Sequence, residues 1–192
     1  MNLFYRKLYR GGGIVFPLIY YFTTKKFTLI LLSTITILVV TGEILRFQLP
    51  YFNERIFKYC RLILKEREKG KISGTTYFLI GALLTILFFE KGIAITALTF
   101  SVVGDAISAI TGVLIGKVKG KSLEGSGACF ILCLITGIIL SYANLGINIK
   151  LSFWGALAAT VGEALPLGIN DNLTMPIFTG LIMKVAKTFK LM

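Results

Sequence analysis

Four acids and one short basic segment hold most of the chemistry this chain can do. Glu43, Asp105 and Glu163 lie within or at the ends of long apolar runs, and Asp171 sits in the polar stretch Asn170-Asp-Asn172. A carboxylate buried in a bilayer costs at least ~2.5–3.5 kcal/mol, so it faces a protein interior or a wet cavity and has a partner. Glu43 has one in prospect, since Arg46 follows a helical turn later and an ion pair between them is expected. Asp105 has no basic residue within a turn. Its neighbours Gly104, Ala106, Ser108, Ala109 and Gly112 are small, which permits close helix approach. The basic segment Gly116-Lys-Val-Lys-Gly-Lys-Ser-Leu-Glu-Gly125 offers three ammonium groups, the Ser122 hydroxyl, Glu124 and a flexible backbone. Glycines let such a chain approach a polyphosphate, and lysines neutralise it as point charges. Lysines and carboxylates on one face suit Mg2+ or Mn2+ with nucleotide phosphates, the metal taking carboxylate and phosphate oxygens.

Two familiar alternatives are excluded. The segment ending Gly120-Lys121-Ser122 is one residue short of a nucleotide-binding P-loop and follows an apolar run where that motif needs a strand. The chain contains no histidine, which removes histidine triads, histidine metal sites and a histidine general base. Of its three cysteines, Cys129 and Cys133 lie four apart in an apolar segment and read as packing residues, and no disulfide framework is indicated.

The elements that must position these groups are membrane helices. In 192 residues, 55% are hydrophobic and only 16% charged, with a mean hydropathy of +0.80. That balance belongs to the membrane class. The net charge of +12 does not point to nucleic acid, because the basic residues fall between apolar runs, where they set topology and attract anionic headgroups. Spans are expected at 27–45, 73–89, 93–115, 127–142, 151–165 and 173–189. A shorter run at 11–22 is read as a seventh span, giving an all-α polytopic bundle of about seven transmembrane helices, or six without it. No cleavage site follows the basic N-terminus, so a removable signal peptide is not expected.

With seven spans, the connections at 1–10, 46–72, 116–125 and around Asp171 share one side and carry 14 Lys and Arg. The other side carries 7. This asymmetry assigns the first set, and with it the basic loop, to the cytoplasm. The whole of 1–192 is expected to be one transmembrane catalytic domain. Residues 46–72 form a basic amphipathic connector at the membrane surface, and 116–125 a phosphate-binding loop.

The motifs resemble a family. Gly104-Asp-Ala-Ile-Ser-Ala-Ile-Thr-Gly-Val-Leu-Ile-Gly-Lys117, then Lys121-Ser-Leu-Glu-Gly125, then Glu163, then Asp171-Asn-Leu-Thr-Met-Pro176 are similar to the membrane CTP-dependent lipid kinases. That group includes the dolichol or polyprenol, phytol and diacylglycerol kinases and is related to phosphatidate cytidylyltransferases. The resemblance extends to Arg6-Lys7, Gly42-Glu43-Ile-Leu-Arg46 and Ser73-Gly74. It implies an integral-membrane enzyme that moves the γ-phosphate of CTP to a lipid alcohol with a divalent metal, Mg2+ or Mn2+. It associates Lys117, Gly120, Lys121, Ser122, Glu124 and Gly125 with CTP. Asp105 becomes the leading candidate for holding the metal or orienting the alcohol. Glu163 and Asp171 are further metal candidates, Lys121 and Asp171 join Asp105 as catalytic candidates, and Asn172 completes the pocket. The histidine that often follows the Arg-Lys pair in relatives is absent here, where the chain reads Arg6-Lys-Leu-Tyr-Arg10. The additional N-terminal spans of longer dolichol kinases are also lacking, which implies a minimal catalytic core.

A cytidylyltransferase attacking the α-phosphate of CTP is the nearest alternative, and a small transporter using Asp105 and Glu163 is a third. The lipid is not specified by the residues, nor is an oligomeric state. On a straight helix Asp105 lies about 18 Å from Lys117 along the axis. A break, a tilt or an inward fold of the basic loop is therefore expected to bring the two together.

Overall fold

The computed structural model describes residues 11–49, 51, 53–55, 70–114, 122–165 and 169–189. Lys117, Gly120 and Lys121 lie outside them, as do 1–10 and most of the 46–72 connector. Among the described residues the chain is all helix and turn. A short 3-10 turn, Gly12–Ile14, leads into α1 (Val15–Phe22). There follow α2 (Lys25–Gln48), α3 (Gly74–Phe88), α4 (Lys91–Leu114), α5 (Leu123–Ser141), α6 (Ile149–Ala164) and α7 (Asp171–Thr188).

Helix starts follow local polar chemistry. Thr24, Ser73, Ser122, Asn148 and Asn170 each stand in an extended conformation before a helix, and the side-chain oxygen accepts from a backbone N–H of the first turn. This satisfies one of the donors that every helix N-terminus leaves unpaired. Capping also moves one expected boundary, because Ser122 starts α5 early. Leu123, Glu124 and Gly125 are therefore the first turn of a helix and not the end of a loop. Arg46 likewise belongs inside α2, buried beside Glu43, and is not the start of the connector.

Helix α4 is the axis of the bundle. Gly92 through Val102 are all buried, and α4 packs against α1, α3, α5, α6 and α7. A helix apolar on every side is stable only when surrounded in this way. Helix α2 is its opposite. It buries one stripe, Thr28, Leu32, Thr36, Glu43 and Arg46, mainly against α3, and exposes Phe27, Ile30, Ile37, Leu38, Ile44, Leu45 and Phe47. Such an apolar outer face needs lipid for solvent.

Among the described residues three helices, α2, α4 and α5, are long and apolar enough to cross a membrane. The described part of the first segment, Gly12–Phe22, is only about 17 Å long, roughly half a hydrocarbon core. Its Gly13 end packs against Val102 and Phe78. The short seventh span that was expected therefore covers only part of a hydrocarbon core in the described residues.

Alternating direction places the described helix ends on two faces. On one face lysines tie the ends together. Lys25 Nζ donates to Leu87 O (2.8 Å), Lys91 Nζ donates to Tyr21 O and Thr23 O (3.0 and 2.9 Å), and Lys187 pairs with Glu90. The larger core cluster, with Tyr20, Leu32, Ile86, Ile93, Leu151 and Met183, lies toward this face. A smaller one, Phe100, Cys129, Cys133, Ala156, Ala159 and Met175, lies nearer the opposite face and forms the floor beneath the acids.

Candidate active site

The polar face gathers the end of α4, the start of α5, the end of α6 and the start of α7. Close approach begins at Gly104. A Cβ there would lie 2.7 Å from Cys129 Sγ and 2.9 Å from Met175 Cε, so only glycine lets α5 and α7 press this close to α4. Asp105 is the next residue and is partly buried.

One turn further along α4, Ser108 Oγ donates to Glu163 Oε1 at 2.6 Å. Ser126 Oγ on α5 donates to Glu163 Oε2 at 3.2 Å. Glu163, 8% exposed, therefore takes both carboxylate oxygens into one clasp across three helices. Charge-assisted bonds of this kind are about twice as strong as neutral ones and offset the burial of the carboxylate.

The first turn of α5 folds down onto the same place. Ser122 Oγ accepts from Gly125 N at 3.1 Å. A Cβ on Gly125 would lie 3.0 Å from Ser108 O and 3.1 Å from Ser108 Oγ. Ser108 is only about 4.5 Å along the helix axis from Asp105. Meanwhile α4 continues to Leu114, roughly 9 Å beyond this contact. The start of α5 is therefore recessed below the end of α4. The large axial separation of a straight helix does not apply to Ser122–Gly125, although the lysines that precede them lie outside the described residues. Glu124 in this first turn is exposed.

Helix α7 enters beside them. Asn170 Oδ1 accepts from Asn172 N at 3.1 Å, capping the helix. Met175, one turn after Asp171, is the residue that reaches Gly104. Asn172 Nδ2 donates to Gly74 O at 2.7 Å, tying α7 to the start of α3. That amide group is committed to the fold. A second buried polar knot lies next to it: Glu43 Oε1 accepts from Arg46 Nη2 at 3.1 Å and from Ser73 N at 2.8 Å, and Arg46 Nη2 also donates to Lys71 O at 2.8 Å. The ion pair expected from spacing is present, and it serves as a staple between α2 and α3.

The structure thus brings together Glu163, Ser122 and Gly125 around Ser108, with Asp105 one turn before Ser108 on α4 and Asp171 and Asn172 in the first turn of α7. Sequence reasoning missed Ser108 and Ser126. The available signal was their place in otherwise apolar helices, three residues after Asp105 and one after Gly125. Among the described residues no three Asp, Glu, Cys or His side chains form a closed metal cage. A hard cation such as Mg2+ binds nucleotide sites through one or two carboxylates, phosphate oxygens and water, so it needs no closed protein cage.

The chain is 26% identical over 209 residues to CTP-dependent diacylglycerol kinase 1 of Saccharomyces cerevisiae, covering 93% of this chain and 66% of that enzyme. It is 28% identical over 182 residues to an uncharacterized protein of Rickettsia prowazekii, covering 90% and 88% of the two chains. An uncharacterized protein of Methanocaldococcus jannaschii is 29% identical over 185 residues, covering 92% of each. No protein-family model matches the chain, and no solved structure does.

Proposed function

We propose that this chain is a CTP-dependent lipid kinase that transfers the γ-phosphate of CTP to the hydroxyl of a membrane lipid alcohol, diacylglycerol or a polyprenol. The observation that carries this reading is the recessed first turn of α5 beside Asp105 and the Glu163 clasp. The similarity to CTP-dependent diacylglycerol kinases over most of the chain supports it.

Phosphoryl transfer needs positioning and charge neutralisation more than covalent help from the protein. In this reading the backbone of Ser122–Gly125, the Ser122 hydroxyl and Glu124 position CTP at the cytoplasmic face. Lys117 and Lys121, approached through Gly120, neutralise its phosphates. Asp105 and Asp171 would hold Mg2+, which supplies charge neutralisation to the phosphate oxygens when bound. Asp105, at the level where α4 leaves the apolar core, is also the group placed to orient the lipid hydroxyl, the acyl or isoprenoid tail staying in the bilayer. Asn172 holds the start of α7, and Asp171 with it, against α3.

Incubating the purified chain with γ-labelled CTP, Mg2+ and a panel of lipid alcohols tests the proposal. Label in the lipid supports the kinase. With phosphatidate in place of the alcohol, label released as pyrophosphate and a CDP-lipid formed replaces it with a cytidylyltransferase. Solute flux without nucleotide turnover replaces both with a transporter.

A further inference from the structure

The carboxylate of Glu163 is engaged at both oxygens by serines from two other helices, and its own helix ends one residue later, at Ala164. Ser108 belongs to the helix that carries Asp105, and Ser126 to the helix whose first turn is Ser122–Gly125. Bonds to both therefore set the register between the acid on α4 and the turn on α5. At this level the close approach is glycine against serine, Gly125 meeting the Ser108 carbonyl and hydroxyl, while the apolar packing of Cys129 and Cys133 against Gly104 lies about a turn deeper. The start of α5 also offers partial positive charge, which favours an acid beside its first turns.

We infer that Glu163 is a positioning residue and not a metal ligand: it clasps α4 to α5 through Ser108 and Ser126 and so holds Asp105 in register with the nucleotide-binding turn. The inference rests on the kinase reading for the identity of the nucleotide, and on the geometry alone for the clasp.

The two roles separate in one substitution. A glutamine at 163 keeps an acceptor for Ser108 and presents an amide N–H to Ser126, whose hydroxyl can turn and accept. The clasp survives while the charge is lost. Initial rates with γ-labelled CTP, varied in CTP and in Mg2+, are measured for the wild type, Glu163→Gln, Glu163→Ala and the double variant Ser108→Ala/Ser126→Ala. A clasp predicts that Glu163→Gln stays within ~5-fold of wild type in kcat/KM for CTP. Glu163→Ala and the double serine variant both fall by at least ~30-fold, about the loss of one or two charge-assisted hydrogen bonds, and the Mg2+ dependence is unmoved. The inference is overturned if Glu163→Gln is as inactive as Glu163→Ala, or if the double serine variant works normally with its carboxylate intact. The serine pair also serves if Glu163→Ala does not fold.

The unfolding temperature with and without CTP and Mg2+, measured on the same proteins, reads nucleotide binding independently of transfer. A wild type that binds CTP but labels no lipid removes the kinase reading alone, and the clasp is then judged by the same ranking of variants in binding. A wild type that neither binds nor turns over CTP overturns both.

Discussion

Replacing Gly125 by alanine tests whether the recessed turn of α5 is a working part of the site. The added Cβ would sit 3.0 Å from Ser108 O, 3.1 Å from Ser108 Oγ and 3.2 Å from Ser122 Oγ. Ordinary contact for such a carbon begins at 3.4 Å, so the turn must back away from α4 by roughly 0.4 Å. The stability cost is small, because two terms oppose each other. Overpacking costs about 1–3 kcal/mol, and exchanging glycine for alanine inside a helix returns about 1 kcal/mol. The net is a loss of at most ~2 kcal/mol. Catalysis is more sensitive, since misplacement by 1 Å costs on the order of a hundredfold. A few tenths of an ångström then corresponds to about a tenfold fall in kcat/KM for CTP. Gly127, two residues on along α5, is the control, because nothing lies within 4 Å of a Cβ built there. Gly127→Ala is expected to keep wild-type kinetics. The assay is initial-rate phosphorylation of a lipid alcohol with γ-labelled CTP, paired with thermal unfolding in detergent. Wild-type kcat/KM in a folded Gly125→Ala protein would refute the reasoning, and so would equal losses at both glycines.

Two further outcomes are expected. Asp105→Asn removes a charge at nearly constant volume, and should abolish lipid phosphorylation while the protein still extracts from membranes as a folded species in size-exclusion chromatography; measurable turnover would take Asp105 out of the reaction. Glu43→Ala strips the carboxylate from the buried Arg46 guanidinium and from Ser73 N. It should destabilise the fold by about 3–5 kcal/mol, seen as a large drop in thermal unfolding midpoint, with Glu43→Gln falling between it and the wild type.

Much of the architecture was legible because a bilayer imposes a one-dimensional rule: apolar runs of sufficient length become helices, and charges mark the connections. The boundaries of α3, α4 and α7 follow the apolar runs within a few residues. The i, i+3 spacing of Glu43 and Arg46 likewise announced their ion pair. The first segment was less legible, since composition does not decide whether so short an apolar run crosses; in the described residues its Gly13 end packs against Val102 and Phe78.

The acids divide along the same line. Sequence alone marked Asp105 and Glu163 as acids set in apolar runs, where a carboxylate needs a partner. It placed Asp171 in the polar stretch that follows and, having no histidine, turned attention to carboxylates for proton or metal chemistry. Only the tertiary structure decided what surrounds them. That Glu163 is gripped by Ser108 and Ser126 depends on three helices 55 and 37 residues apart in the chain meeting at one level. Asn172 ties to Gly74 across 98 residues. Periodicity reports which face of a helix is apolar. It carries no information on the relative heights of neighbouring helices, and height is what lets the first turn of α5 descend past the end of α4 to reach Ser108.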